Sequence, residues 1–232
     1  MLGQRIRNLF RPSGEPSPKG GAVWDAGSRD ADSPPSTAFP SELERPSNGL
    51  RQFFENLQGE ARLRILDLGG ASQANINFIT LQGHKLYTED LLVGLDRLTG
   101  PGKASSRPET VIARFMQENL NFPAAQFDGV LVWDTLEFLE EEMLGEAVTR
   151  LQTILKPGGT LLSFFHTHAK GEMVAVYRYQ IRDRQTLHLQ PRVTRPLPCA
   201  FNNRHLERLF GSFHAVKFFL AKDNLREVIV TR

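Results

Sequence analysis

Residues 64–78 read RILDLGGASQANINF, and this passage decides the fold. The apolar run LRILDLG contains an acid and ends at a glycine, which is typical of a strand covered on both faces. QANINFITLQG follows and has the pattern of a helix that ends at Gly83. Small residues in the turn between them let a ligand approach the backbone, where the first amides of a helix can donate hydrogen bonds. The passage therefore predicts a ligand-binding turn.

Strands and helices alternate after this turn. We predict a second strand at KLYTED (85–90), a third at TVIARF (110–115) and a fourth at FDGVLVW (127–133). An amphipathic helix over 141–155 ends at KPGG, and the fifth strand, TLLSFF (160–165), comes next. This alternation is typical of an α/β layer fold around a mostly parallel sheet.

Two hairpins interrupt the alternation. The last segment, FHAVKFFLAKDNLREVIVTR (213–232), contains two strand-like runs joined by turn residues and predicts an antiparallel hairpin at the end of the chain. Before it, VAVYRYQIRD and TLHLQPR alternate in the same way, which predicts a hairpin insertion at about residues 170–200. Tyr177 and Tyr179 lie on one face of that insertion.

The N-terminal part of the chain differs in composition. Residues 1–48 contain seven of the fourteen prolines, together with many serines and glycines. We therefore predict a disordered tail over residues 1–46 and a domain over 47–232. The domain begins with a helix for which either Ser47 or Asn48 is a suitable cap.

Composition limits the partners and the compartment. The 28 basic and 26 acidic residues form no sustained basic stripe, so neither nucleic acid nor an anionic membrane is an expected partner. The longest apolar runs are far shorter than the roughly 18 residues of a spanning helix. One cysteine and the lack of a secretory segment predict a cytoplasmic protein. These features do not indicate an oligomeric state.

Four motifs in serial order resemble those of the class I S-adenosylmethionine-dependent methyltransferases, over about residues 50–232. They are LDLGGAS, TED, FDGVLVWDTLEFL and LKPGG. The resemblance implies a Rossmann-like three-layer sandwich with a mostly parallel, seven-stranded sheet and a C-terminal antiparallel hairpin. It also implies S-adenosyl-L-methionine as cofactor and a methyl acceptor, which we expect to be a small molecule.

The resemblance also implies which residues contact the cofactor. The turn and the acid before it would face the methionine end, and an acid after the second strand would accept the ribose hydroxyls. Asp90 is our choice for that acid, with Glu89 as the alternative. The expected cofactor-binding residues are Asp67, Gly69, Gly70, Ala71, Ser72, Glu89, Asp90, Met116, Gln117, Trp133 and Asp134. Met116 would form an apolar floor for adenine, and Gln117 or Glu118 would supply a polar group.

Some of these residues have simpler interpretations, and the motifs depart from the family pattern. Asp67 could have no role beyond capping the next helix, and Trp133 could be a core residue without a function in the site. The family's turn is usually G-x-G-x-G, whereas Ala71 and Gln73 occupy its second and third glycine positions. Gln73 would bring a long polar side chain close to the cofactor. These departures keep a second hypothesis open, a non-catalytic binding or regulatory protein with the methyltransferase fold.

No catalytic residue is identified from the sequence. His166 and His168 follow the fifth strand and could act as a base or contact a substrate, but no third ligand stands at a spacing that indicates a metal site. A nicotinamide-dependent oxidoreductase is a third hypothesis. It is disfavoured because the turn does not read G-x-G-x-x-G and the terminal hairpin fits that class poorly.

Overall fold

The structure is a computed structural model, which describes residues 41–57, 62–100, 107–220 and 223–232. These residues belong to one compact unit, Phe39–Arg232. The strands are β1 (Leu43–Pro46), β2 (Arg64–Asp67), β3 (Lys85–Thr88), β4 (Phe127–Trp133), β5 (Leu155–His166), β6 (Met173–Ile181), β7 (Thr186–Pro196), β8 (Ala215–Leu220) and β9 (Leu225–Thr231). The helices are α1 (Asn48–Asn56), α2 (Gln73–Leu81), α3 (Leu91–Thr99), α4 (Pro108–Asn119), α5 (Glu141–Ile154) and α6 (Asn203–Leu209), and a short 3₁₀ helix covers Thr135–Phe138.

Six strands form the larger sheet, in the order β3-β2-β4-β5-β9-β8. The first four are parallel to one another, whereas β9 runs antiparallel to both β5 and β8. The predicted α/β fold and the terminal hairpin are therefore confirmed. We call this sheet the large sheet.

The predicted third strand is wrong, and the large sheet has six described strands where seven were expected. TVIARF lies inside helix α4, which begins with Pro108 at its first position and carries Glu109 in its first turn. Both residues favour a helix start. Phe115 and Asn119, four residues apart, are the buried positions. A six-residue window was too short to distinguish this helical spacing from the alternation of a strand.

The predicted hairpin insertion is present as β6 and β7, and it belongs to a second, three-stranded sheet with the order β1-β7-β6. We call this the small sheet. Strand β1 pairs with β7 from Leu43 opposite Leu189 to Pro46 opposite Thr186. The predicted tail of residues 1–46 therefore extends too far at its C-terminal end. Its residues 1–40 lie outside the described residues.

A buried ion pair joins the small sheet to the large one. Arg45 of β1 donates to Glu227 of β9 at 2.8 Å, and the hydroxyl of Ser47 donates to the same carboxylate at 3.0 Å. Burial raises the pKa of Glu227, although the charge of Arg45 acts in the opposite direction. Ser47 also caps α1 by accepting from the Leu50 amide at 3.0 Å, so of the two predicted caps Ser47 is the one observed.

Two apolar clusters cover the two faces of the large sheet. One includes α4 and α5 with the buried residues of the predicted amphipathic helix, from Met143 to Ile154. The other contains α1 and the inward residues of the small sheet, among them Tyr179 and Leu187, against Trp133 and Phe164. The small sheet therefore packs on the face of the large sheet that carries Trp133. None of the helices in the described part of the chain is long and apolar enough to cross a membrane.

Candidate functional site

The carboxyl ends of β2 and β3 bring together the two acids singled out in the sequence. Asp67 ends β2, and Asp90 follows β3 and forms an isolated bridge with Gly69. The Gly70 amide donates to the Glu89 carbonyl at 2.9 Å, and the Glu89 amide donates to the Asp67 carbonyl at 2.9 Å. The two strands are parallel neighbours, so their ends meet at one edge of the sheet.

Asp67 lies fully buried at the centre of this edge. Its carboxylate accepts from the Gly69 amide at 3.0 Å, from Asn75 Nδ2 at 2.8 Å and from Trp133 Nε1 at 2.7 Å. Burial raises the pKa of Asp67 to about 6, although each of these hydrogen bonds favours the ionised form. The helix-capping role considered from the sequence is therefore not observed, because among the described residues Asp67 accepts from no backbone amide of α2. Two of its three donors are instead the side chains of Asn75, in α2, and Trp133, at the end of β4.

The glycines of the turn are required by the close approach of the protein's own side chains. Gly70 has φ +88°, and a Cβ at this position would lie 2.6 Å from Asp90 Oδ2. A Cβ on Gly69 would lie 2.5 Å from Trp133 Cδ1. In this conformation Trp133 and Asp90 therefore fill the space beside the turn that the sequence predicted for a ligand.

Asp90 has two partners in the structure. One carboxylate oxygen caps α3 by accepting from the Val93 amide at 3.1 Å, and the other pairs with Arg192 Nη2 at 2.7 Å. A second guanidinium nitrogen of Arg192 donates to the Gly69 carbonyl at 3.5 Å. Arg192 belongs to β7 of the small sheet, and no feature of the local sequence indicated that it would reach this acid.

Trp133 is both a core residue and part of the site. It is 1% exposed, and its ring stacks on Tyr179 with a centroid distance of 5.0 Å and an interplanar angle of 3°. Its backbone has φ +58°, a left-handed conformation that is strained for a bulky side chain. The indole stacking and its hydrogen bond to Asp67 compensate for this strain. An outlier of this kind at the end of a strand indicates a functional position.

The remaining turn residues point in different directions. Ala71 is exposed, whereas Ser72 is buried at the start of α2, and its Oγ has no hydrogen-bond partner among the described residues. Gln73 is exposed, and its amide donates to Asn77 at 2.7 Å along the helix surface. The expectation that Gln73 would crowd the ligand space is therefore wrong, because a helical side chain follows its own helix face.

Asn75 is a buried residue of the site that sequence analysis missed. Its side-chain amide donates to Asp67 and, at 2.9 Å, to the Tyr179 carbonyl, and its oxygen accepts from the Ile181 amide at 2.7 Å. It therefore joins the acid of β2 to strand β6. An asparagine amid the apolar residues of a short helix is a signal that could have identified it, because a buried amide needs partners.

A second group of polar side chains lies at the ends of β4 and β5, and we call Asp134, Glu137, His166 and Tyr179 the polar cluster. Tyr179 donates to Asp134 Oδ2 at 3.0 Å. Glu137 accepts from the backbone amide of His166 at 2.7 Å and pairs with its Nδ1 at 2.5 Å. Glu137 and Tyr179 were not among the predicted site residues, although Glu137 stands in the motif FDGVLVWDTLEFL and Tyr179 in the predicted hairpin insertion.

Burial controls protonation in the polar cluster. Burial and, second, the charge of Glu137 raise the pKa of Asp134 to about 7. Burial also raises the pKa of Glu137. It lowers the pKa of His166, but the hydrogen bond and charge of Glu137 outweigh it, so that this pKa lies above its ordinary value. The cluster can therefore hold a proton near neutral pH.

The predicted adenine contacts lose their basis. Met116 and Gln117 were assigned by their position directly after a predicted third strand, and both residues lie in helix α4. Gln117 is exposed, and Met116 packs at the edge of the cluster that contains α5.

His168 lies beside His166, and the centroids of the two imidazole rings are 5.7 Å apart. No group of three potential metal ligands occurs in the described ranges.

The protein has an α/β fold in which the two candidate acids, Asp67 and Asp90, lie at the carboxyl edge of its parallel strands. A family model described as a methyltransferase domain matches residues 41–213, which is more than half of the 232 residues. The chain belongs to this family, and the resemblance to class I S-adenosylmethionine-dependent methyltransferases is confirmed. No curated protein sequence matches the chain.

The chain is also similar, at low identity, to solved structures. The 1,6-didemethyltoxoflavin-N1-methyltransferase of Burkholderia thailandensis is 17% identical with a TM-score of 0.43, and the match covers 79% of this chain and 75% of that one. A SAM-dependent methyltransferase from Archaeoglobus fulgidus is 13% identical with a TM-score of 0.47, covering 79% and 91%. One from Clostridium acetobutylicum is 13% identical with a TM-score of 0.46, covering 79% and 90%.

The residues of the site fit an S-adenosyl cofactor in kind. Two acids, a glycine turn and the amides at the start of α2 stand in the order that such a ligand needs, and Ser72 Oγ is a buried polar atom without a partner in the described structure. In this conformation, however, Arg192 and Trp133 occupy hydrogen-bonding positions of the two acids. The chemistry therefore fits, and Arg192 and Trp133 take hydrogen-bonding positions on the acids that a ligand would also use.

Proposed function

We propose that the protein transfers a methyl group from S-adenosyl-L-methionine to a small-molecule acceptor. The observation that carries this proposal is the meeting of Asp67 and Asp90 around the glycine turn at the ends of adjacent parallel strands. Family membership and the order of the four motifs support it. The cofactor supplies an activated sulfonium methyl group when bound, so little covalent help is needed from the chain.

The chain's own residues would bind and orient the cofactor. Asp90 is the proposed acceptor for the ribose hydroxyls, since a carboxylate forms strong hydrogen bonds with such donors. Asp67 and the amides after Gly70 would face the methionine end, where the N-terminus of α2 favours a carboxylate group. Holding donor and acceptor at near-attack distance can be worth roughly 7 to 11 kcal/mol at best.

The polar cluster is the proposed acceptor side of the site. Asp134 and Glu137 follow β4, His166 ends β5 and Tyr179 belongs to β6. The cluster lies at the edge that also carries Asp67. Asp134 can accept a proton near neutral pH because burial raises its pKa to about 7. Tyr179, whose pKa burial raises well above its ordinary value, remains a neutral donor. These groups could position an acceptor hydroxyl or amine and take up its proton.

A small acceptor suits this site better than a macromolecule. Strand β6 places Tyr179 over Trp133, and β7 places Arg192 against Asp90, so the small sheet covers the edge of the large one. A folded substrate would need a wide approach to the same edge. The covered geometry supports a ligand that enters beside the small sheet.

A specific observation favours the alternative of a non-catalytic binding protein. Trp133 and Arg192 already satisfy Asp67 and Asp90, so the described conformation needs no ligand to pair these acids. A protein that keeps the fold and has lost turnover would show the same contacts. The two functions differ in whether S-adenosylmethionine displaces these side chains and whether its methyl group is then transferred.

Thermal unfolding with S-adenosylmethionine, S-adenosylhomocysteine and NADH tests the proposal. A ligand at 100 times its dissociation constant stabilises the folded state by about 2.7 kcal/mol. For a domain of this size that is a shift of roughly 5 to 11 °C in Tm. We expect this shift with the first two ligands and none with NADH.

The outcomes separate the three hypotheses. A shift in Tm with NADH alone would favour the oxidoreductase. No shift with any of the three ligands would favour the non-catalytic binding or regulatory protein. Where S-adenosylmethionine binds, incubation with small hydroxyl, amine and carbon nucleophiles should release S-adenosylhomocysteine. Binding without such release for any acceptor would favour the non-catalytic alternative.

A further inference from the structure

We propose that Arg192 is an internal competitor of the cofactor, and that binding requires its guanidinium to leave Asp90. The inference rests on the proposed cofactor site, because it assigns Asp90 to the ribose. It adds that side chains of the chain itself occupy the two acids until a ligand displaces them, Arg192 at Asp90 first. Trp133 is the second part of this closure.

Arg192 offers Asp90 the same kind of hydrogen bond that a ribose would offer. Its Nη2 lies 2.7 Å from Asp90 Oδ2, while Oδ1 is held by the Val93 amide at 3.1 Å. Gly70 lies close to the same oxygen, since a Cβ there would be 2.6 Å from Oδ2. A ribose hydroxyl that approaches Oδ2 must therefore compete with the Arg192 guanidinium for this acceptor.

Trp133 holds the other acid in a comparable way. Its indole N–H donates to Asp67 Oδ1 at 2.7 Å, and its ring lies against Gly69. Asn75 and the Gly69 amide supply the remaining donors to Asp67. Closure of both acids by side-chain donors is therefore a feature of this chain's tertiary packing.

The small sheet can stay docked while Arg192 moves. Strand β6 is attached to α2 through Asn75, and β7 is attached to α3 by a second ion pair, Arg195 with Asp96 at 2.5 Å. The side chain of Arg192 is 21% exposed, so a rotamer that points to solvent is accessible. The competing group is therefore one flexible side chain rather than the whole hairpin.

The experiment compares S-adenosylhomocysteine affinity by calorimetry in the wild-type protein, Arg192→Gln and Arg195→Gln. Arg195→Gln is the matched control because it removes the neighbouring ion pair between β7 and α3 without touching Asp90. We expect Arg192→Gln to bind about three- to tenfold more tightly than the wild type, as expected for loss of a partly exposed ion pair. Arg195→Gln should leave the affinity unchanged within about twofold.

Salt and fluorescence provide readouts that need no turnover. Raising NaCl from about 0.05 M to about 0.5 M screens the Arg192–Asp90 pair. The wild-type affinity should therefore rise relative to that of Arg192→Gln, whose affinity lacks this dependence. In a Trp24→Phe background Trp133 is the remaining tryptophan. Its emission should shift to the red when the ligand releases it from Tyr179.

Each outcome decides the inference. Equal affinities in all three proteins would overturn it and leave the proposed function intact. An equal gain in Arg192→Gln and Arg195→Gln would also overturn it, because the gain would then come from loosening β7. No binding by any of the three would contradict the proposed function itself, and the competition with it, since removal of Arg192 should at least expose Asp90.

Discussion

The large sheet carries Asp67 and Asp90 at the ends of β2 and β3, whereas the small sheet places Arg192 against Asp90 and Tyr179 against Asp134. The acids stand in short motifs on neighbouring parallel strands, and their position follows from the fold class. The covering residues stand in a hairpin whose alternation predicts only its own shape. The candidate ligand-binding acids and the residues that cover them are therefore encoded in separate parts of the chain.

The largest expected effect concerns the join between the two sheets. Arg45→Ala leaves the buried Glu227 carboxylate without its ion-pair partner, and such losses cost about 3 to 5 kcal/mol. Urea unfolding followed by circular dichroism measures this change in the free energy of unfolding. Arg182→Ala is the control, because its pair with Glu44 is exposed at 3.6 Å and is worth about 0 to 1 kcal/mol.

Comparable losses of unfolding free energy in Arg45→Ala and Arg182→Ala would contradict this prediction, because the buried pair would then contribute little to holding the small sheet against the large one. A large loss in Arg45→Ala alone would show that this one buried contact fixes the position of the small sheet on the large sheet.

The second prediction concerns the contact between Tyr179 of the small sheet and Asp134 of the large one. Burial raises the pKa of Asp134 from 3.8 to about 7, so the folded state holds this proton more tightly than the unfolded state does. Stability is therefore greatest below pH 3.8 for this group and is lost as the pH rises towards 7. At 1.36 kcal/mol per unit the loss is at most about 4 kcal/mol.

Asp134→Asn keeps a side-chain oxygen for Tyr179 and removes the titration. Denaturant unfolding between pH 4 and pH 8, with the wild type minus the variant as the measured quantity, isolates this group. We expect the wild type to lose stability relative to the variant across this range. A constant difference would show that Asp134 titrates normally despite its burial.

The third prediction tests the large sheet's contribution to binding. Asp90→Ala should weaken S-adenosylhomocysteine binding by about 1.5 to 3 kcal/mol, or roughly 10- to 100-fold, because a hydrogen bond to a charged group is lost. The same variant should lose about 1 kcal/mol of stability with the cap of α3. Glu89→Ala is the control for calorimetry. If Glu89→Ala caused the loss of affinity instead, Glu89 would be the ribose acid.

The smallest expected effect lies at a position that the small sheet does not control. Gln73→Gly should change cofactor affinity by less than about twofold, because the Gln73 side chain bonds to Asn77 on the exposed face of α2. Its stability cost is at most about 1 kcal/mol, the propensity difference of glycine in a helix. A marked gain in affinity by calorimetry would mean that Gln73 enters the ligand space after all.

The sequence by itself determined the features that depend on local pattern. Three features can be recognised within short windows of sequence, and the structure contains all of them. They are the apolar run before Asp67, the glycine turn and the terminal hairpin. The order of Asp67 and Asp90 also sufficed to place them together, because parallel neighbours bring their carboxyl ends to one edge. Local pattern failed at α4, where six residues suited either a strand or a helix.

Only the tertiary structure decided which side chains meet the two acids. Arg192 and Asp90 are 102 positions apart in the chain, and Trp133 and Asp67 are 66 apart. Such contacts depend on how the small sheet packs against the large one. The free energy of that packing comes from burial of apolar side chains, which is non-directional, so the local sequence does not specify which side chains will meet. The same burial raises the pKa of Asp67 and Asp134, since desolvation is a property of the folded surroundings and not of the residue.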